Sequence, residues 1–132
     1  MREFHLKIAT PDGTDYDGMA ESLLVRTTDG DVEILAGHTD LLASVATGRV
    51  RLRYSGTERY ASASGGFLCV TKDGVSLVPI TFEFADEIDI KRAQASKERA
   101  EELLRNARDA AATSAAEAKL SRALNRIKVA NL

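Results

Sequence analysis

The sequence predicts an α+β protein: an antiparallel β-sandwich of eight to ten strands over residues 1–85, followed by an antiparallel α-helical hairpin over residues 86–132. Three observations predict it. Turn dipeptides punctuate the first part at short, fairly regular spacing, at Asp12-Gly13, Asp29-Gly30, Gly37-His38, Thr47-Gly48, Ser55-Gly56, Gly65-Gly66 and Asp73-Gly74. Between them run short apolar or alternating segments, the signature of stacked sheets. After Phe84 the period changes, and from Ile88 to Ala111 there is neither proline nor glycine.

The strands are justified by their two-residue period. Phe4, Leu6 and Ile8 alternate with His5, Lys7 and Ala9, and Val50, Leu52 and Tyr54 alternate with Arg51, Arg53 and Ser55. Each pattern buries one face and wets the other. Tyr60-Ala61, the runs Phe67 to Thr71 and Val75 to Val78, and Thr81 to Phe84 supply further strands, enough for two packed sheets.

For the helices the start signals matter most. Asp86 is a good N-cap, with Glu87 and Asp89 following where the helix dipole favours negative charge. Within the stretch from Ile88 to Ala111 a first helix of roughly five to six turns is predicted. Asp109 to Ser114 lacks large apolar residues, and Ser114-Ala115-Ala116-Glu117 fits a capping box, which predicts the turn near 111–114 and a second helix from there. Leu120, Leu124 and Ile127 would then face Leu103, Leu104 and Ala107. Much of that seam is alanine, and a buried CH₂ stabilises by only about 0.8 kcal/mol, so the hairpin is expected to be the mobile part.

Composition narrows the function. The 132 residues carry a formal charge of −2, 44% hydrophobic and 29% charged residues, which describes a soluble chain with no global attraction to nucleic acid or anionic lipid. Cys69 is the only cysteine, so there is no internal disulfide or thiolate cluster, and its place in Phe67-Leu68-Cys69-Val70 predicts a small buried hydrophobe. No apolar run approaches the ~20 residues of a membrane span, so a cytosolic chain is expected, with membrane association through partners. With His5 and His38 the only histidines, no metal site is expected. No catalytic constellation, nucleophile elbow or P-loop is found, so an enzyme is the least favoured class.

The strongest chemical signal is a set of arginines. Asp89, Arg92 and Arg99 share one helix face by i+3 and i+7 spacing, and Arg122 and Arg126 another by i+4. A turn at 111–114 would set residue 99 level with about 126 and 103 level with about 122. Only Arg99 has an acidic helper, Glu102. Converging guanidinium groups suit a phosphate ligand, and a solvated basic face is the other reading.

Three stretches in order resemble the epsilon subunits of bacterial F-type ATP synthases. They are Leu6-Lys7-Ile8-Ala9-Thr10-Pro11-Asp12-Gly13 with Tyr16-Asp17-Gly18; Gly30-Asp31-Val32-Glu33-Ile34-Leu35-Ala36-Gly37-His38-Thr39-Asp40-Leu41-Leu42; and, in the helices, Ile88 to Ala93 together with Leu120 to Ala130. Glu33 and Ala36 depart from the glycine and proline common in relatives, which bears on loop shape and leaves the fold intact.

The resemblance implies a non-catalytic central-stalk subunit of a proton-translocating rotary ATP synthase, peripheral on the cytoplasmic face of the cell membrane. The sandwich would bind the gamma subunit through Gly37 and His38 and face the c-ring through Asp29, Gly30 and Asp31, although Asp-Gly is also simply good turn chemistry. Ile88-Asp89-Ile90-Lys91-Arg92-Ala93 matches the Ile/Leu-Asp-x-x-Arg-Ala motif of relatives that bind ATP in a closed hairpin. By that resemblance Glu83 and Asp89 contact the base or ribose, Ile88 and Ala93 give apolar contact, and Arg92, Arg99, Arg122 and Arg126 surround the phosphates. No cofactor is required, with ATP the expected regulatory ligand. Released helices would extend beside gamma and meet acidic segments of the beta subunits in the alpha/beta head. The competing function is a free-standing phosphate or nucleotide sensor.

Overall fold

A computed structural model describes residues 2–132 and divides into two compact units, one ending at Phe84 and the other Ala85–Leu132. The first holds ten strands: β1 (Phe4–Thr10), β2 (Gly13–Ala20), β3 (Ser22–Thr27), β4 (Gly30–Ile34), β5 (Leu41–Ser44), β6 (Gly48–Tyr54), β7 (Thr57–Ser64), β8 (Phe67–Thr71), β9 (Gly74–Val78) and β10 (Thr81–Phe84). They form two five-stranded sheets, ordered β2-β1-β9-β8-β5 and β10-β7-β6-β3-β4. Pairing is antiparallel except between β1 and β9, where Leu6, Lys7 and Ile8 run parallel to Val75, Ser76 and Leu77.

The alternation read from the sequence sets the inner faces. Leu6, Ile8, Leu23, Val25, Val50, Leu52, Leu68, Val70, Val75 and Leu77 all enter one core between the sheets, closed by Ala61, Ala63 and Phe84. The tight strand connections depend on glycine where L side chains cannot follow. At Gly66 φ is +77°, and an added Cβ would lie 1.9 Å from the Val78 carbonyl oxygen.

On the outer face of the second sheet the polar halves of the same strands form a charge lattice. Arg26 Nε donates to Asp31 Oδ1 at 2.6 Å, Arg51 Nη2 to Glu33 Oε1 at 3.2 Å and Arg53 Nε to Glu58 Oε2 at 2.8 Å. Exposed pairs of this kind are screened by water and add little to stability, so they set strand pairing more than they stabilise the fold. Cys69 corrects its expectation: it is only half buried. Because Leu68 and Val70 take the inward positions of β8, the two-residue period turns Cys69 outward, opposite Leu42 of the edge strand β5.

The second unit begins with a 3₁₀ turn, Ala85–Glu87, followed by α1 (Ile90–Arg105) and α2 (Ala110–Ala130). Both helix boundaries differ from the sequence reading. Asp89 caps α1 in place of Asp86: its backbone is extended and its side chain accepts the Arg92 N–H at 3.1 Å. Asp86 is taken up by the 3₁₀ turn. The chain reverses at 106–109, not at 111–114. Asn106 ends α1, and Asp109 caps α2 by accepting the Ala112 N–H at 2.7 Å. Ala110-Ala111-Ala112 is therefore the first turn of a helix. Alanine has the best intrinsic helix propensity, which outweighs its lack of packing volume, and Ser114 is left inside α2.

Moving the turn moves the seam. Ala93 and Ala100 on α1 and Ala116 and Ala123 on α2 are buried to 2% exposure or less, seven residues apart on each helix. With the turn centred near residue 108, Ala93 falls level with Ala123 and Ala100 with Ala116. Small residues opposed in this way let two helix backbones approach closely. Of the predicted seam, Leu103 and Leu124 are 49% and 45% exposed and fall outside it, while Leu104, Ala107, Leu120 and Ile127 stay half buried.

Candidate functional site

The reversal at 106–109 also re-registers the arginines. Arg99 is level with residues near 117, and not with Arg126. Helical side chains lean toward the N-terminus of their own helix, so the heads of Arg99 on α1 and Arg122 on the antiparallel α2 move toward each other. Both reach one groove of about 400 Å³ between the helices, lined by Ser96, Arg99, Ala100 and Leu103 from α1 and by Lys119, Arg122, Ala123 and Arg126 from α2. That volume is within the range of small-ligand sites. Four of its eight lining residues are basic and none is acidic.

Arg99 is held by Ser96 and not by the expected Glu102: its Nη2 donates to Ser96 Oγ at 3.0 Å, one helical turn back. The groove can therefore bind an anion of high charge with preplaced donors, of which a planar guanidinium makes paired hydrogen bonds to phosphate. Ser96 and Lys119 are the two polar lining residues that the sequence reading missed. With the turn correctly placed, the i+3 spacing of Lys119 to Arg122 would have found the lysine.

Arg99, Arg122 and Arg126 are thus brought together, while the other residues assigned to that ligand lie elsewhere. Arg92 is exposed in the first turn of α1, and the carboxylate of Asp89 is engaged in capping that turn. Ala93 is in the seam and Ile88 is half buried ahead of the helix. Glu83 belongs to β10 of the sandwich, opposite Ser62 of β7.

The other expected contact residues lie on two sandwich turns. Thr27 Oγ1 accepts the Asp29 N–H at 3.2 Å and donates to the Gly30 carbonyl at 2.7 Å, and Gly30 has φ +117°. Asp29 is exposed. Asp31, by contrast, is occupied by Arg26, with Arg49 at 3.8 Å. In the second turn Gly37 has φ +83°, the His38 N–H donates to the Leu35 carbonyl at 3.1 Å, and His38 Nδ1 donates to the Thr39 carbonyl at 2.7 Å. Leu35 and Leu42 flank this turn in the chain and are 53% and 73% exposed.

Two family models divide the chain between them: the β-sandwich domain of the ATP synthase delta/epsilon chain matches residues 3–85, and its long α-helix domain matches residues 86–131. This chain belongs to the ATP synthase epsilon family. The epsilon chain of Caldanaerobacter subterraneus is 43% identical over 131 residues, covering 98% of this chain and 95% of that one. The epsilon chain of Bacillus velezensis is 42% identical over 130 residues, covering 98% of each. Among solved structures, a chain of the Euglena gracilis mitochondrial ATP synthase (OSCP/F1/c-ring) superposes with a TM-score of 0.78 at 24% identity, covering 90% of this chain and 76% of that chain. A chain of the Tetrahymena thermophila central stalk/c-ring gives 0.69 at 14% identity, covering 98% and 97%. At those identities the two structures speak to the fold. Epsilon chains are non-catalytic stalk subunits of a complex that makes ATP.

Proposed function

We propose that this chain works in the central stalk of a proton-translocating rotary ATP synthase, peripheral on the cytoplasmic face of the cell membrane, with its helical unit as an ATP-controlled latch. The sandwich, residues 1–85, docks on the gamma subunit through the turn at Gly37 and His38 with Leu35 and Leu42 beside it. It faces the c-ring through the turn at Asp29, Gly30 and Asp31. Since Asp31 is neutralised within the chain, Asp29 carries the charge of that turn outward. The Euglena and Tetrahymena assemblies, with their F1, central stalk and c-ring, support this set of partners.

The single observation behind the latch is the groove with four basic side chains and no lining carboxylate. Held shut over an alanine seam, the hairpin gains from ATP a stabilisation of RT ln(1 + [ATP]/Kd), about 2.7 kcal/mol when ATP stands at 100 times Kd. When ATP falls, the helices are released to extend beside gamma, meet the alpha and beta subunits, and restrain hydrolysis. In this closed form Arg99, Arg122 and Arg126 are the phosphate ligands. The parts given to Glu83, Ile88, Asp89, Arg92 and Ala93 rest on the motif resemblance alone.

Titration calorimetry of the full chain tests the latch. Saturable ATP binding is expected, lost in Arg122→Ala and Arg126→Ala. Absence of heat at millimolar ATP would remove it. Affinity purification of a tagged chain from native membranes should recover the gamma, alpha and beta subunits. Recovery of the chain alone from cytosol would favour a free-standing phosphate sensor.

A further inference from the structure

Arg26 stands near the end of β3, where the strand is tied on both sides. On one side it lies opposite Asp31 of β4, and its Nε donates to Asp31 Oδ1 at 2.6 Å. On the other the Arg26 carbonyl accepts the Ala46 N–H at 3.0 Å, and the Thr28 N–H donates to the Ser44 carbonyl at 3.0 Å. Gly48, the first residue of β6, lies against this tied segment: a Cβ built on it would stand 2.5 Å from Arg26 Cβ and 2.8 Å from Arg26 Cγ. Gly48 is not among the glycines with positive φ, so its backbone would accept an alanine and only the room for a side chain is missing. An added methyl would meet the rigid base of the arginine, whose Cβ moves only with β3 itself. The guanidinium at the far end would then be carried off Asp31. The second cation beside Asp31, Arg49 Nη2, stands at 3.8 Å, beyond hydrogen-bonding length.

From this contact we infer that Gly48 is the positioning residue of the turn at Asp29, Gly30 and Asp31. By carrying no side chain it lets Arg26 close on Asp31, which masks one of the turn's two carboxylates and leaves Asp29 to meet the partner. The turn is thereby matched to a surface that offers it one cation, and any larger residue at 48 makes it a contact of two carboxylates. The inference rests on the reading of this turn as the face toward the c-ring and adds to it the residue that sets how much charge is shown. Charges of this kind act on partner choice and association rate more than on the fold.

Two measurements on the full chain test it. The first is thermal unfolding of Gly48→Ala, Arg26→Gly and the double variant. Gly48→Ala is expected to lower the melting temperature, and Arg26→Gly removes both atoms that the methyl meets, so the double variant should melt with Arg26→Gly alone. A Gly48→Ala loss that persists in the Arg26→Gly background, or no loss at all, would overturn the inference. The second is binding to a rotor of gamma and c-ring held in nanodiscs, at low and high salt. Asp31→Asn is expected to change the wild-type affinity by less than about 1.5-fold and that of Gly48→Ala by about two- to fivefold at low salt, the range of an exposed ion pair, with the difference fading at high salt. Arg26→Gln, which frees Asp31 without a clash, should behave as Gly48→Ala does. An equal effect of Asp31→Asn in all three backgrounds overturns the inference, while a loss of binding in Asp29→Asn leaves the turn facing the c-ring. Unchanged affinity in Asp29→Asn overturns that reading, and the melting cycle still decides whether Gly48 seats Arg26.

Discussion

Replacing Ala116 by leucine places three extra carbons in the buried alanine seam of the hairpin. Ala116 is 2% exposed and level with Ala100 at 1%, so the new side chain must part the two backbones, leave its rotamer wells or push toward the groove that Ala100 lines. Overpacking of this kind costs about 1–3 kcal/mol. At 1–2 kcal/mol alone, the ratio of closed to open hairpin falls about 5- to 30-fold. The control is Ala115→Leu, the same chemistry one residue earlier on the exposed face of α2, where a change within about 0.5 kcal/mol is expected. Native-state hydrogen exchange reads the difference directly. Amides in α1 and α2 should exchange faster by that factor in Ala116→Leu and at wild-type rates in Ala115→Leu, with Leu6 and Leu52 of the sandwich's own core as internal reference. Equal protection in the two variants, or greater protection in Ala116→Leu, would refute the close alanine seam and return the interface to the leucines.

Two further outcomes follow from the sandwich. Gly66→Ala forces a Cβ to 1.9 Å from a backbone oxygen at φ +77°, so thermal unfolding should show a loss of at least about 2 kcal/mol, against a far smaller effect for alanine at Gly56, where φ is +72° but nothing is within 4 Å. The Glu58 carboxyl is held below its usual value of 4.5, first by the hydrogen bond from Arg53 and then by Tyr60, while the Tyr60 hydroxyl is raised above 10.0, first by its bond to Glu58. A depressed carboxyl stabilises above its unfolded pKa and loses that contribution as pH falls through the folded one, and the raised tyrosine loses its own as pH rises past its folded value. The stability difference between wild type and Glu58→Gln, by urea unfolding, should therefore be flat at neutral pH and close below about 4.5. A difference unchanged down to pH 3 would refute the pairing.

The sandwich was legible because burial and strand period coincide: Leu6 and Ile8, or Val50 and Leu52, have one dry face each and declare it by alternation. The hairpin was legible in kind and misread in register. At Asp86 and Asp89 two equivalent caps compete, and only the 3₁₀ turn that absorbs the first decides between them. At Asp109 to Ser114 the absence of bulk looked like a turn, because packing volume and helix propensity point opposite ways for alanine. One shifted reversal then displaced every cross-helix pairing, which is why Arg99 was set level with Arg126 and Lys119 was missed. The occupation of Asp31 by Arg26 was hidden for a different reason. It depends on β3 and β4 pairing in a register that places residue 26 opposite residue 31.

The alanine seam also fixes what separation of α1 from α2 would cost in hydration. Leu103 and Leu124 already face water, and at Ala93, Ala100, Ala116 and Ala123 the buried surfaces are single methyl groups, with Val129 the one larger side chain of the helices that is fully buried. Heat capacity rises with apolar area exposed, so the seam itself contributes only a small increment on opening, and the balance between paired and parted helices varies little with temperature on its account.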